Sequence, residues 1–257
     1  MRWCRVPERR RLRVLHTSDV HLGAYPSRHD GFWEAKRREL EAAFSGVVAA
    51  GIREHADALL IAGDFFDNDR VDDSTVRFAV REIRRFPGTV FLIPGNHDAM
   101  DPGRLYWRHD FEAMAPNLRL FRDHGGGVFE EPELDLVVWG RALHDADWHF
   151  RPLDGLPSRL DGRWHVALAH GHTVGPGDDH GRSWLIHHEQ IEAAAGQWDY
   201  LAFGHWEHHA DVSRGSATAV YSGAPQALGS HNENAGRAVL VDFDEHGVRW
   251  RAVPVRG

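Results

Sequence analysis

Val90-Phe91-Leu92-Ile93-Pro94-Gly95-Asn96-His97-Asp98 decides how this chain is read. Four apolar residues suit a buried strand, Pro94-Gly95 ends it, and an amide, an imidazole and a carboxylate follow at once. The same alternation recurs outward in both directions. Leu12 to His16 leads into Asp19-Val20-His21, and Ala58 to Ile61 into Gly63-Asp64-Phe65-Phe66-Asp67. Further along, Val166 to Ala169 leads into His170-Gly171-His172, and Tyr200 to Phe203 into Gly204-His205-Trp206-Glu207. Taken singly, Asn-His-Asp reads as a turn, Asp64 as a cap and a strand-end histidine as structural. Five such clusters in order, each beyond a strand, argue for one shared site, because open sheets collect ligands in the loops past their strand ends.

The segments between the first three strands complete the fold reading. Residues 30 to 50 place Trp33, Leu40, Phe44, Val47 and Val48 on one face and Lys36, Arg37, Arg38, Glu39 and Glu41 on the other, which predicts a helix. A second helix is expected over Asp73 to Phe86, closed by Pro87-Gly88. Strand, helix, strand, helix, strand makes parallel βαβ units. The second half predicts shorter strands at Leu134 to Trp139, Trp164 to Ala169, Trp198 to Phe203 and Ala219 to Ser222, and a helix at 187 to 195. A terminal hairpin is expected from Arg237 onward, turning at Asp244 to Gly247. The expected class is α/β with two sheets and outer helices. Loops at 22 to 31, 144 to 161 and 173 to 184 are long and polar, suited to shaping access to a site or to plain surface.

Composition bounds the rest. With 257 residues, 42% of them hydrophobic, the chain can bury a full core as one domain, and residues 1 to 257 are expected to form a single unit with 1 to 11 as an extension. The one cysteine, Cys4, supports neither an internal disulfide nor a thiolate metal cluster. No apolar run approaches the roughly 20 residues that span a bilayer, and the start lacks a signal-peptide core, so no membrane insertion and a cytoplasmic location are expected. The net charge of −8 counts against an extensive grip on nucleic acid, although metal cations or a partner subunit would offset it.

Chemically, the clusters pool carboxylate, amide and imidazole donors without sulfur. Such a set suits Mn²⁺ or Fe²⁺ and tolerates Zn²⁺. Asp64 has two oxygens with which to bridge two cations, Asn96 offers a hard oxygen, His97 can donate a proton, and Asp98 is placed in sequence to orient the His97 ring.

In this order the motifs resemble those of calcineurin-like metallophosphoesterases. His16 to Gly23, Tyr221-Ser222-Gly223-Ala224-Pro225 and the closing Gly236 to Phe243 strand are similar to the SbcD-type nuclease subunit of DNA double-strand-break repair. The resemblance implies a four-layer αββα sandwich of two mixed β-sheets flanked by helices. It implies two divalent metal ions, Mn²⁺ before Fe²⁺ or Zn²⁺. Asp19, His21 and Asp64 would hold one, and Asp64, Asn96, His170 and His205 the other, with His97 as catalytic acid. Where that pattern has a second histidine after His205, this chain has Glu207, with His208 next to it; either would complete the first metal's shell, Glu207 by position.

The implied chemistry is phosphodiester hydrolysis by a metal-activated hydroxide, with no protein nucleophile. A DNA repair-type nuclease or exonuclease with an ATPase partner subunit heads the readings. The capping and ATPase-docking segments of repair-type relatives are not expected in this chain. A phosphodiesterase or phosphatase for a small phosphoester, such as a cyclic nucleotide or phospholipid head group, comes next, and a non-catalytic scaffold last.

Overall fold

Parallel strands covered on both faces need continuous apolar runs, and the chain supplies them. The computed structural model describes residues 9–25, 31–144, 147, 149–178, 181–228 and 235–255. In chain order the first half gives β1 (Leu12–Thr17), α1 (Gly31–Arg53), β2 (Ala58–Ala62), α2 (Asp73–Arg85) and β3 (Thr89–Ile93). Two four-residue helices follow, α3 (Leu105–Arg108) and α4 (Phe111–Met114), and then β4 (Leu118–Leu120). The second half gives β5 (Gly127–Glu131), β6 (Leu136–Gly140), β7 (Trp164–His170), β8 (His172–Val174), β9 (Leu185–His187), α5 (His188–Ala193), β10 (Tyr200–Gly204), β11 (Ala210–Asp211) and β12 (Ala219–Tyr221). The hairpin β13 (Arg237–Asp244) and β14 (Gly247–Pro254) closes the chain.

These strands form two mixed six-stranded sheets, ordered β14-β13-β1-β2-β3-β4 and β11-β12-β10-β7-β6-β5. The terminal hairpin returns to the first sheet, with Val14 of β1 opposite Val241 of β13 in antiparallel register. Between the sheets lie Val14, Leu60, Phe91 and Ile93 from one side and Val138, Val166, Leu168 and Ala202 from the other. Outside the first sheet, Phe44, Val47 and Val48 of α1 and Val76, Ala79 and Ile83 of α2 bury their apolar faces, as the 3.6-residue spacing requires. Ile191 of α5 and Trp198 cover the second sheet with Phe203 and Tyr221. Helix, sheet, sheet, helix is the expected four-layer α/β order.

α2 begins where its sequence says it should. The Asp72 carboxylate accepts the Thr75 N–H at 2.8 Å, satisfying one of the four amides that a helix start leaves open. Some differences from the sequence reading are physical. Pro132–Leu134 make a 3₁₀ turn, so the strand expected from Leu134 starts at Leu136, after Asp135 reverses the chain in a left-handed conformation. The stretch expected as a loop at 173 to 184 is flanked by the parallel pair β8 and β9, too short for periodicity to reveal. Most of the N-terminal extension, with Cys4, and parts of the three long loops lie outside the described residues.

Candidate metal centre

The strands β1, β2 and β3 run parallel to one another in one sheet and β7 and β10 in the other, and their carboxyl ends face one edge of the sandwich. Beyond that edge the chain reverses sharply. Asp19, His21, Asp64 and His205 all adopt positive φ, at 53°, 51°, 48° and 104°. Such conformations cost non-glycine residues about 1–3 kcal/mol each and persist only where the surroundings enforce them. The enforcement is visible in the backbone: Asp19 N–H donates to the Gly63 carbonyl at 3.1 Å, and His21 N–H to the Asp64 carbonyl at 3.0 Å. Strain concentrated at four of the residues singled out by sequence marks a site shaped for something other than stability.

The motif glycines have steric reasons. A Cβ on Gly95 would sit 2.2 Å from Asp64 Oδ1, and one on Gly63, which also has φ +88°, would sit 2.2 Å from His170 Nδ1. Only glycine lets these loops close on the ligand candidates.

Two groups of donor atoms converge. His21, Asp64 and His97 form one, and Asp64, His170 and His205 the other, with the ligand atoms of each group within 4.8 Å of one another. Asp64 belongs to both. Its Oδ2 lies 3.3 Å from His170 Nε2 and 3.9 Å from His21 Nε2, while its Oδ1 accepts the His97 N–H at 2.9 Å. Asn96 Oδ1 completes the second group, 3.0 Å from His170 Nε2 and 2.9 Å from His205 Nδ1. Several lone pairs therefore face a common centre, in a mixed oxygen and nitrogen set without sulfur, which fits a divalent cation. The second imidazole nitrogen of His170 is held 2.9 Å from the Ala62 carbonyl, the kind of outer bond that fixes a ligating ring.

The charges are tightly coupled. Burial favours protonated Asp64, but the neighbouring His170, His21 and His97 hold its carboxyl far below the usual range. Burial would depress His21, yet its bond to Asp67 and the charges of Asp64 and Asp19 raise it to about 9. Burial likewise opposes charge on His170, and Asp64 and Asp19 raise it to about 9. His205 goes the other way, to about 3, through burial and the proximity of His170 and His172.

Other expected site residues are placed differently. Asp19 is buried and turns both oxygens to the His205 N–H, at 3.2 and 3.1 Å, outside the two groups. Glu207 and His208 join neither group; the Glu207 carbonyl accepts the Ala224 N–H, and His208 is exposed. Asp98 does not serve as the support of the His97 ring. Its carboxylate accepts Gly95 N–H at 2.7 Å, Phe65 N–H at 2.9 Å, Phe66 N–H at 3.0 Å and the Tyr106 hydroxyl at 2.6 Å, tying two motif loops together from beneath. The correction follows from donor supply: a buried carboxylate goes where amides converge.

Asp67 takes the place expected of Asp98. His97 Nδ1 donates to the Asp67 carbonyl at 2.8 Å and lies 3.5 Å from its carboxylate, while His21 Nδ1 is 3.2 Å from the same carboxylate. His172 was also missed as an actor: its Nε2 lies 2.8 Å from His205 Nε2, and Trp206 Nε1–H donates to its Nδ1 at 2.9 Å. Both residues stand inside quoted clusters, and only their contacts distinguish them from turn residues.

Comparisons with known proteins agree with this geometry. Residues 12–208 match the model of the calcineurin-like phosphoesterase family. The chain is 34% identical to the DNA double-strand break repair protein Mre11 of Haloferax volcanii, over 55% of this chain and 32% of that protein. It is 23% identical to the uncharacterized metallophosphoesterase YhaO of Bacillus subtilis, over 84% of this chain and 53% of that protein. The matches thus span about a third to a half of these curated relatives. The crystal structure of TT1561 of Thermus thermophilus shares the fold, with a TM-score of 0.57 at 16% identity, covering 95% of this chain and 99% of that one. No helix among the described residues is long and apolar enough to cross a membrane. Strand-end donors, their convergence on Asp64 and a family match over most of the length lead to one conclusion: the chain belongs to the calcineurin-like phosphoesterase family.

Proposed function

We propose that this protein is a dinuclear-metal-dependent phosphodiesterase of the DNA repair nuclease type, with residues 1 to 257 acting as one catalytic unit. The observation that carries the reading is Asp64, a carboxylate shared by two donor groups. Asp19, His21 and Asp64 would hold one ion, with Glu207 as a further oxygen donor, and Asp64, Asn96, His170 and His205 the other. Mn²⁺ suits this donor set, with Fe²⁺ and Zn²⁺ as alternatives. When bound, paired cations supply charge for the phosphoryl oxygens and an acidified water.

The chain's own residues do the remaining work. Asp64 and Asp19 are buried, so their charges act in a weakly screened environment. His97 is 42% exposed at the mouth of the site, where a substrate can reach it. With Nδ1–H committed to the Asp67 carbonyl, Nε2 is the ring position left to pass a proton to the departing alkoxide. The Asp67 carboxylate lies 3.5 Å from the same Nδ1.

Partial similarity to Mre11 supports a DNA substrate, and an ATPase partner belongs to the same proposal. The net charge of −8 favours a second reading, a small phosphodiester substrate, which needs no long cationic track. Mn²⁺-loaded protein assayed on linear and hairpin DNA beside bis-p-nitrophenyl phosphate and cyclic nucleotides separates the two. DNA cleavage that depends on Mn²⁺ upholds the nuclease; intact DNA with turnover of small diesters rejects it in favour of the second reading.

A further inference from the structure

Two loops that start at site residues enclose a cavity beside the metal centre. Gly23, Ala24 and Tyr25 follow His21, while Asn68 to Asp72 follow Asp67, and the two loops are joined where Asp67 N–H donates to the Leu22 carbonyl at 3.0 Å. Between them lies a volume of about 340 Å³ lined by Tyr25, Arg37, Asn68, Arg70, Val71 and Asp72. That is large enough for one small ligand unit. It is also coupled to the centre: Asn68 Nδ2 donates to Asp67 Oδ2 at 3.2 Å, and Asp67 Oδ1 stands 3.2 Å from His21 Nδ1.

The lining is built for an anion. Arg37 reaches the cavity from α1 with a buried Nε that has no hydrogen-bond partner among the described residues, although its Nη1 lies 3.6 Å from Asp72 Oδ2. An unsatisfied buried guanidinium N–H is costly, and an incoming acceptor removes the cost. Arg70 is exposed; its backbone N–H is fixed by Asn68 Oδ1 at 2.8 Å, and its guanidinium makes no ion pair among the described residues. Asp72, the one lining carboxylate among the described residues, is occupied: Oδ1 accepts Ser74 Oγ at 2.6 Å and Thr75 N–H at 2.8 Å. The start of α2 lies at the same wall and adds the positive end of its dipole. Two guanidiniums lining one cavity supply the charge and N–H donors that a phosphate group takes.

We infer that this cavity is a second phosphate subsite, which holds the phosphate next to the scissile one and so selects substrates with consecutive phosphates, the class to which a nucleic acid strand belongs. The inference rests on the proposed phosphodiesterase reading and gives it a substrate preference that net charge alone does not suggest.

Calorimetric titration of the Mn²⁺-loaded protein with thymidine 3′,5′-bisphosphate, thymidine 5′-monophosphate and inorganic phosphate tests it. The unaltered chain should bind the bisphosphate at least tenfold tighter than either single phosphate. Arg70→Ala, a surface change that spares the fold, and Arg37→Gln should each weaken the bisphosphate at least tenfold and the monophosphate less than twofold. Equal affinities for all three ligands in the unaltered chain, or variants that weaken mono- and bisphosphate alike, would overturn the subsite. Hydrolysis of bis-p-nitrophenyl phosphate is measured in parallel. If it is absent, the phosphodiesterase reading fails, while the bisphosphate comparison still decides whether the cavity binds a second phosphate.

Discussion

His16, fully buried between the sheets, makes the stability of this protein depend on pH in a calculable way. Its Nδ1 lies 3.0 Å from the Tyr200 hydroxyl, and the Phe203 backbone also faces the ring. Burial, with a smaller contribution from the charge of His209, lowers its pKa from the ordinary 6.5 to about 3. Because the folded value is depressed, the unfolded chain binds more protons between these limits, and stability must fall as pH drops from 6.5 towards 3. At pH 4.5 the unfolded imidazole is about two pH units below its own pKa, worth about 1.4 kcal/mol each, so folding costs about 3 kcal/mol more than at pH 7.5. The perturbation is His16→Gln, which keeps a polar partner for Tyr200 but does not titrate. Urea denaturation followed by tryptophan fluorescence, at pH 7.5 and 4.5, gives the two stabilities. The variant should lose some stability at pH 7.5, and its difference between the two pH values should be smaller than that of the unaltered chain by about 3 kcal/mol. Identical pH dependence in both proteins would refute the reasoning and place the acid sensitivity elsewhere.

Other outcomes follow from the site. Asp67→Asn removes the charge shared by His21 and His97 and should lower Mn²⁺ affinity about 10–100-fold, as loss of an outer carboxylate does at other metal sites; unchanged affinity in a calorimetric titration would deny Asp67 that role. His97→Ala should abolish turnover while the protein retains its metal by elemental analysis, and metal loss would move His97 among the ligands. Asp98→Ala leaves four buried donors without their acceptor and should cost at least about 3 kcal/mol of stability in thermal or urea unfolding. A variant of normal stability that loses only kcat would show that Asp98 acts on the chemistry after all.

Local pattern was enough to determine the frame. Apolar runs of strand length, helices with a 3.6-residue stripe and polar clusters at strand ends each depend on residues within a few positions, so β1, β2, β3, β7 and β10 and the donors after them were legible directly. The glycines of Gly63-Asp64 and Gly95-Asn96 were legible as turns, although the reason they must be glycine, the approach of His170 and Asp64, was not.

Only the tertiary structure decided which side chains meet. From sequence alone, Asp98 beside His97 was the natural support for that ring, but adjacent residues in a turn point apart, and the ring is held by the backbone carbonyl of Asp67, 30 residues away, with its carboxylate at 3.5 Å. Asp19 and His205 are 186 positions apart and share a hydrogen bond because two sheets pack face to face. His172 stood in a quoted cluster without a role, and only β8 and Trp206 set it against His205. Arg37, read as the polar face of α1, lines a cavity because two loops close over that face. Periodicity reports which face of an element is apolar; it carries no information on which distant polar group the folded chain brings to it, since that is fixed by sheet order and loop closure.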